Sequence, residues 1–369
     1  MIVHATDFFA PRIGGIETQV AGLASAQAAS GRQVRVVTTT ASVPPDSWSF
    51  EVHRIADRAA LPVRPLARRL IWRALDELDP QLVHAHLSVV SPCAWYAIGW
   101  ALRRGRPVVA SVHSLWGGPA RALHRALDLP GGWLGRTVLA AVSEAAAVAV
   151  RRAVPAAEVA VVPNGIDLRL WRGPARPLRT GGVHVVAVGR LAGRRRPLAL
   201  LEVLRAARAR VGPGLRATIA GSGPAQPRLA AYLRRHRMDR WVRLAGHLDR
   251  TGVRDLLHEA DVYLNVALRE SFGIAALEAR TAGVPVVALA STGTSDFVRH
   301  EREGLLCHGL DGLADGLVRL ATDHRLRHVI AAYNRDHGPT ECAWPSTLAA
   351  FERCYTRAAD RLRPEIRTF

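Results

Sequence analysis

Short apolar runs alternate with longer helical segments twice along this chain of 369 residues. Such an alternation predicts parallel strands, because two parallel strands need a long crossover connection, usually a helix. The predicted strands are residues 2–5, 34–38, 82–85, 108–112 and 138–142 in the first series, and 183–188, 217–220, 242–245, 262–266 and 285–289 in the second. The pattern therefore predicts an α/β protein with two doubly wound, Rossmann-like domains that face each other across a cleft.

The segment between the two series has the composition of a linker. Residues 171–182 contain prolines, glycines and arginines with no periodic apolar positions, which is typical of a loop. We predict a first domain at residues 1–172, a linker at 173–182 and a second domain at 183–345. A last helix, within residues 346–369, is expected to pack back on the first domain.

The formal net charge of +19 points to anionic partners, which include nucleic acid, an anionic membrane and phosphorylated substrates. All fifty basic side chains are arginine, so part of this bias reflects codon composition. The arginines are scattered along the chain, without an RNA-binding motif that interleaves aromatic residues or a zinc-finger spacing. We therefore expect no nucleic-acid partner.

The cysteine spacing favours a reducing, cytoplasmic compartment, because it fits neither a metal site nor a disulfide framework. The four cysteines are Cys93, Cys307, Cys342 and Cys354. Asp7 stands where a signal peptide needs an apolar core, so we expect no secretion signal. The longest nearly apolar stretch, residues 85–102, is interrupted by polar residues and a proline, which favours a buried helix over a membrane span.

Residues 261–290 carry the most specific chemistry. They are predicted to form a strand, a loop, a helix, a turn and a second strand, with Ser271 as the helix cap and Gly273 allowing a ligand close to the first turn. The start of a helix favours a phosphate, because its N–H groups and dipole point there. Glu270 in the loop and Glu278 in the helix flank this anion site.

Three other loops contain glycines at the ends of predicted strands. Gly14 and Gly15 lie at the entrance of the first helix, Arg190 and Arg195 follow the strand at 183–188, and Gly221 follows the strand at 217–220. Arginines at the carboxyl end of a strand can bind two phosphates with their paired N–H groups. Taken singly, each loop is explained as well by a plain turn or by a solvated basic segment.

In their order along the chain, these motifs resemble those of the retaining glycosyltransferases of family four, whose GT-B fold has two such domains. The resemblance covers nearly the whole chain. It rests on Pro-x-x-Gly-Gly-x-Glu at 11–17, Val-Ser-Glu at 142–144, Val-Pro-Asn-Gly-Ile-Asp at 162–167, Gly-Arg-Leu at 189–191, Ala-Gly-Ser-Gly-Pro at 220–224 and the two glutamates of 270–278.

The resemblance implies a catalytic role for four residues. Glu270 would hold hydroxyls of the donor sugar near the anomeric carbon, and His113 would lie near the transferred sugar. Arg190 matches the diphosphate-binding arginine, while Arg195 stands where the family usually has lysine. An arginine keeps the charge but replaces a point donor by a fork, so phosphate binding should survive with altered geometry.

The remaining implied contacts are to the donor. Glu278 would accept hydrogen bonds from the ribose, and Gly15, with Gly14, would lie over the diphosphate or the acceptor. Further donor-binding positions are Ser271, Phe272, Gly273, Ile274 and Gly221. Asp296 is a second departure, because many relatives carry glutamate there, and its contact stays open.

The resemblance implies a retaining transfer of a hexose from a nucleotide-diphosphate sugar to a hydroxyl of a carbohydrate, a lipid-linked or a small-molecule acceptor. The departing diphosphate is expected to leave and the acceptor to attack on the same face, without a covalent intermediate. The nucleotide sugar is a co-substrate, and neither a cofactor nor a metal is expected. The alternatives are a nucleotide-sugar epimerase, a phosphorylase-like enzyme of the same fold, and a basic nucleic-acid-binding protein.

Two further features have alternative explanations. His84 and His86 lie on one face of a predicted strand and could bind a metal, but no third ligand is close in sequence, which favours a structural or acceptor-side role. On the helix at 66–78, Leu66 and the other apolar residues share the predicted buried side. The opposite face carries Trp72 together with Arg68, Arg69 and Arg73, so it suits either an anionic membrane surface or a solvated face whose tryptophan packs under a neighbouring segment.

Overall fold

The computed structural model describes residues 1–41, 48–55, 65–129, 131–174 and 182–362. The chain forms two compact units. The first consists of Met1–Gly165 and Glu341–Phe369, and the second of Ile166–Thr340. The predicted linker at residues 173–182 lies for the most part outside the described residues.

The first unit is built on a parallel sheet. Its strands are β1 (Ile2–Thr6), β2 (Val34–Thr38), β3 (Glu51–Arg54), β4 (Leu82–Leu87), β5 (Val108–Val112), β6 (Val138–Ala141) and β7 (Val159–Val161), in the sheet order β3-β2-β1-β4-β5-β6-β7. Every residue of β1, β4, β5 and β6 is buried. Strands with no solvated face are typical of parallel sheets that helices cover on both sides. These helices are α1 (Gly15–Ala29), α2 (Pro65–Leu78), α3 (Pro92–Arg103), α4 (Gly118–Asp128) and α5 (Glu144–Ala153).

The second unit repeats this plan with six parallel strands. They are β8 (Val183–Val188), β9 (Leu215–Ala220), β10 (Val242–Gly246), β11 (Val262–Leu264), β12 (Val286–Leu289) and β13 (Gly304–Cys307), in the order β10-β9-β8-β11-β12-β13. The helices are α6 (Leu168–Trp171), α7 (Pro197–Val211), α8 (Gln226–Arg235), α9 (Arg250–Glu259), α10 (Ile274–Thr281), α11 (Gly309–Thr322) and α12 (His324–Asp336). The prediction of two α/β units with parallel sheets is therefore confirmed.

The ten predicted strands are present, and the three additional ones, β3, β7 and β13, each form an edge of a sheet. An edge strand has one neighbour and is short, so its apolar run is weaker than that of a central strand. In β3 and β7 no residue is fully buried. The missing central-strand pattern explains why the sequence did not predict β3 and β7, whereas β13 was missed although three of its four residues are buried.

The last helix, α13 (Trp344–Asp360), belongs to the first unit although it follows the second unit along the chain. Phe351 and Tyr355 are buried in a core cluster with residues of β1, β5 and β6. The ring of Trp344 occupies space that two glycines leave open, because a Cβ on Gly22 would lie 2.5 Å from its Cζ2, and a Cβ on Gly165 would overlap the same ring. The first unit therefore depends on a segment from each side of the second.

Helix α2 corrects part of the sequence analysis. Ile71 and Leu75 are buried as predicted, but Leu66 is 50% exposed. Trp72 does not lie on an exposed face: it is half-buried against the core of the first unit, and its indole N–H donates a hydrogen bond to the carbonyl oxygen of Tyr96 in α3 (2.9 Å). The alternative of a packed tryptophan is correct. None of the described helices is both long and apolar enough to cross a bilayer.

Candidate active site

In the second unit, two glycine loops at the carboxyl ends of β8 and β9 lie directly against each other. The amide of Leu191 donates to the carbonyl oxygen of Ser222 (2.9 Å). Gly221 (φ +139°) and Gly223 (φ +158°) have conformations that favour glycine, and a Cβ on either would overlap the backbone of the β8 loop. Gly221, predicted to bind the donor, is therefore also required for this close approach of the two loops.

The start of α10 is shaped by a glycine. Gly273 is the N-cap residue with φ +99°, so it offers no side chain to the N–H groups of the first turn. The prediction that Ser271 caps this helix is wrong. A Cβ on Gly273 would lie 2.8 Å from Oγ1 of Thr294 and 3.4 Å from Cγ of Glu270. The helix start therefore remains open to an anion, which is the property that phosphate binding needs.

The loop before α10 is held in place by the turn at Gly293–Asp296. The amide of Gly293 donates to the carbonyl oxygen of Glu270 (2.9 Å), and Oγ1 of Thr294 donates to that of Phe272 (3.3 Å). The Phe272 ring is buried and packs on Phe297, with 5.0 Å between the ring centroids. Phe272 therefore positions the loop, and only its backbone is available to a ligand. Asp296 is exposed at the end of this turn.

The structure brings two predicted catalytic residues together. Glu270 is 5% exposed, and its carboxylate accepts a hydrogen bond from the guanidinium of Arg195, which lies in the short turn after β8. The amide of Asn265 also donates to this carboxylate (3.4 Å). Two donors on one buried carboxylate hold it at a fixed place. The sequence analysis missed Asn265. The feature that could have indicated it is an amide side chain within the otherwise apolar run 262–266.

Glu278 has a different environment. It is half-buried on α10, and burial raises its pKa from 4.5 to about 8, with the charge of Arg250 opposing the shift. Ile274, in the first turn of the same helix, is half-buried, and Arg190 is exposed in the loop after β8. A carboxyl with a pKa near neutral pH can donate or accept a hydrogen bond, which suits a sugar diol.

In the first unit, the glycine pair lies at the start of α1. Gly14 is the N-cap residue, and a Cβ there would overlap the carboxylate of Glu17, which is buried directly against it. Arg12 lies near this carboxylate, with 3.8 Å between Nε and Oε1. Gly15 is exposed. Gly14 is therefore needed for the packing of Glu17, while Gly15 has an accessible backbone.

His113 follows the end of β5 and belongs to a group of uncharged histidines. Its Nε2 lies 3.0 Å from Nδ1 of His86, and Nε2 of His86 lies 2.9 Å from Nδ1 of His4. Burial lowers the pKa of His4 and of His113 to about 4, and that of His84 and His86 well below 6.5. At neutral pH these imidazoles are therefore neutral donors and acceptors.

His4 supplies the third histidine that the sequence analysis lacked beside His84 and His86. The three residues could place ligand nitrogens within 4.8 Å of one another. However, each of their six ring nitrogens already has a hydrogen-bond partner. An ion would have to displace these bonds, and within the described part of the chain no carboxylate joins the group to balance its charge. The group is better explained as a hydrogen-bonded network.

Comparison with known protein families agrees with this arrangement. The model described as Glycosyltransferase Family 4 matches residues 13–170, and the one described as Glycosyl transferases group 1 matches residues 182–323. The glycogen synthase of Mycobacterium tuberculosis (strain ATCC 25618 / H37Rv) is 31% identical over 326 residues, which are 85% of this chain and 76% of that enzyme. The chain belongs to the family 4, group 1 glycosyltransferases. It is an enzyme of this class.

Other relatives and solved structures extend the comparison. The D-inositol 3-phosphate glycosyltransferase of Actinosynnema mirum is 27% identical, covering 96% of this chain and 94% of that enzyme. A sucrose-phosphate synthase from Thermosynechococcus elongatus has a TM-score of 0.79 at 20% identity, covering 96% of this chain and 98% of its own. Anabaena Alr3699/HepE, solved with UDP and glucose, has a TM-score of 0.75 at 17% identity, covering 96% and 99%. These structures share the GT-B fold with this glycosyltransferase.

Proposed function

We propose that this glycosyltransferase moves a hexose from a nucleotide-diphosphate sugar to a hydroxyl acceptor with retention of the anomeric configuration. The observation that carries the proposal is the Arg195–Glu270 pair beside the open start of α10. A cation, a fixed carboxylate and a helix N-terminus within one loop system meet the needs of a substrate that carries both a diphosphate and a sugar.

The residues act mainly through charge. When the glycosidic bond breaks, negative charge accumulates on the diphosphate, and Arg195, Arg190 and the N–H groups of α10 would stabilise it. The sugar gains positive charge at the same time, and the carboxylate of Glu270 would offset it. Arg195 is paired with this buried carboxylate, so the diphosphate would compete with Glu270 for the guanidinium.

For the donor, we propose a uridine-diphosphate hexose as the first candidate. The support comes from the relatives: one is called a glycogen synthase, and HepE was solved with UDP and with UDP-glucose. Glu278 would contact the ribose, which is common to all nucleotides, so it does not select the base. The donor panel must therefore also include guanosine- and adenosine-diphosphate sugars.

For retention, we propose that the acceptor attacks on the face that the diphosphate leaves, and that a diphosphate oxygen takes the acceptor proton. The new bond joins the acceptor oxygen to the anomeric carbon, the bond to the diphosphate breaks, and the nucleoside diphosphate leaves with the electron pair. Glu270 is held by Arg195 and Asn265, and this environment favours charge stabilisation over nucleophilic attack. A covalent adduct of hexose with Glu270 would contradict this route.

We propose a cytoplasmic location, in keeping with activated nucleotide sugars as donors. Peripheral binding to an anionic membrane would rest on the exposed side chains of Arg68, Arg69 and Arg73. Arg73 is paired with Glu77 (2.7 Å) and Trp72 is packed against the core. The remaining basis for membrane binding is therefore charge alone, which 0.5 M salt should abolish in vesicle flotation.

The test combines binding and turnover. A true donor must raise the melting temperature of the folded protein, since it binds the native state. Release of the nucleoside diphosphate should then require a hydroxyl acceptor, and NMR of the product should show the anomeric configuration of the donor. Release that needs only water or phosphate would point to a hydrolase or phosphorylase-like enzyme, and an inverted product would refute retention.

A further inference from the structure

A continuous hydrogen-bond network runs through the buried interior of the first unit. It starts at Gln27 of α1 and has two branches. One contains His4, His86 and His113, and the other contains Tyr355, His84 and Ser111. All of these residues except His113 are buried, and His113 is half-buried at the end of β5. We call this group the Gln27 network.

The amide of Gln27 gives the network its direction. Its Nε2 donates to the hydroxyl of Tyr355 (2.7 Å), so the nitrogen points to α13. Its Oε1 lies 2.7 Å from Nε2 of His4. A carbonyl oxygen can only accept, so His4 must carry its proton on Nε2. Because buried His4 is neutral, with a pKa of about 4, its Nδ1 has no proton and must accept.

This requirement passes along the first branch. Nδ1 of His4 accepts, so His86 must donate from Nε2 (2.9 Å) and therefore has an unprotonated Nδ1. That Nδ1 must accept from Nε2 of His113 (3.0 Å). His113 is consequently held as the tautomer with its proton on Nε2 and a lone pair on Nδ1.

The second branch has the same direction. The hydroxyl of Tyr355 accepts from Gln27, so its own hydrogen is available for Nδ1 of His84 (2.8 Å). His84 then donates from Nε2 to Oγ of Ser111 (2.8 Å), and Ser111 keeps its own hydrogen for another acceptor. The two branches end in the same place, because Ser111 and His113 line one small cavity of the first unit, together with His86.

We propose that Gln27 is a positioning residue that selects the tautomer of His113 through His4 and His86. In this way the selected tautomer makes Nδ1 of His113 an acceptor at the end of β5, where Ser111 of the same strand is a donor. A neutral, hydroxyl-bearing group in the cavity that both residues line would match this polarity. The identification of that group as part of a sugar or an acceptor rests on the proposed function; the tautomer does not.

The direct test is NMR of the protein labelled with ¹⁵N in histidine. A protonated and an unprotonated ring nitrogen differ widely in ¹⁵N shift, so the spectrum reports each tautomer. In the native protein, the signals of His113, assigned by their loss in His113→Asn, should show a proton on Nε2 only. A proton on Nδ1 of His113 would overturn the proposal without the need for any variant in the network.

The variant Gln27→Met removes both amide bonds at nearly constant volume and should change the single His113 tautomer into a mixture. Gln19→Met is a matched control: Gln19 is a buried glutamine of the same helix that lines the same cavity as His113, but its amide donates to Gly165 (3.0 Å), outside the network. It should leave the single His113 tautomer unchanged. An unchanged His113 in Gln27→Met, or an equal change in both variants, would contradict the selection by Gln27.

Kinetics then separate this inference from the proposed function. In Gln27→Met we expect kcat of transfer to fall while the KM of the donor stays nearly the same, since Arg195, Glu270 and the start of α10, which are proposed to hold the diphosphate and the sugar, lie in the other unit. If the NMR result holds and no nucleotide sugar supports transfer, the proposed function fails and the role of Gln27 stands. If transfer is found and both proteins have the same kcat, the tautomer has no part in the reaction.

Discussion

The carboxyl ends of the strands differ in kind between the two units. In the second unit they carry charges, since Arg195 is paired with the buried carboxylate of Glu270. In the first unit they carry neutral groups, because burial lowers the pKa of His113 to about 4, and the uncharged Ser111 lies two residues before it on β5.

The difference follows the chemistry of the two proposed substrates. A nucleotide sugar has a charged diphosphate, which arginine and a helix N-terminus can bind strongly. A hydroxyl acceptor has no charge, so it needs donors and acceptors whose directions are fixed. Two sheets of similar topology can therefore serve different substrates, because the residues at their ends, rather than the fold, decide what binds.

The strongest test of this contrast is loss of the carboxylate charge. Glu270→Gln keeps the shape but not the charge, and we expect transfer to fall on the order of 100- to 1,000-fold, as for loss of one preorganised electrostatic group. Glu301→Gln is the control, since Glu301 is paired with Arg319 but exposed, and its loss should change turnover little. Steady-state kinetics of the two variants measure this difference in turnover. Normal turnover in Glu270→Gln would end the assignment of charge control to the second unit.

The two units should also respond to pH in opposite directions. In the first unit, the pKa of His4 falls from 6.5 to about 4 on folding, so between these values only the unfolded chain binds the proton, and stability is lost as the pH falls. The pKa shift of His4 alone should lower the free energy of unfolding of the first unit by about 3 kcal/mol as the pH falls through this range. In the second unit, the pKa of Glu278 rises from 4.5 to about 8, so the folded state holds the proton, and stability is lost as the pH rises through this range.

Hydrogen exchange resolved by peptides, corrected for the intrinsic pH dependence, can measure both units in one sample. Glu278→Gln should remove the loss of protection in the second unit at high pH and leave the acid response of the first unit unchanged. If the protection of the two units changed with pH in the same direction in the native protein, the proposed difference between them would be wrong.

The smallest effect concerns the backbone of the anion site. Gly273→Ala forces a side chain into φ +99° and against Thr294, while Gly309→Ala forces one into φ +68° in open space at the start of α11. The left-handed backbone conformation should lower the stability of both variants by about 1 to 2 kcal/mol. The clash with Thr294 should lower the stability of Gly273→Ala further. Urea unfolding measures the difference, and the donor-induced rise in melting temperature should be reduced only in Gly273→Ala. Equal donor response in both would remove the helix start from the site.

How much of the fold and of the site could be predicted from the sequence depends on how far apart along the chain the interacting residues lie. Apolar runs are local, so the central strands of both sheets and the edge strand β10 were predicted, while the edge strands β3, β7 and β13 were not. Glu270 was found because its motif is continuous along the chain. Its bond to Arg195 joins residues 75 positions apart, and no spacing rule shows that the two side chains meet.

The histidines show the same limit more clearly. His84 and His86 were noticed because they are two residues apart on one strand. His4 lies opposite His84 only through the pairing of β1 with β4, and Gln27 and Tyr355 come from helices at either end of the chain. The register of a sheet and the docking of a helix are tertiary facts, so the network could not be recognised before the structure.

The docking of α13 has a consequence for folding during translation. Tyr355 is synthesised after the whole second unit, yet it contributes to the core of the first and to the Gln27 network. During translation the core of the first unit therefore stays incomplete until α13 has been synthesised, after the whole second unit. Until then the face that α13 covers is uncovered. The part of the chain that is made first is the part completed last.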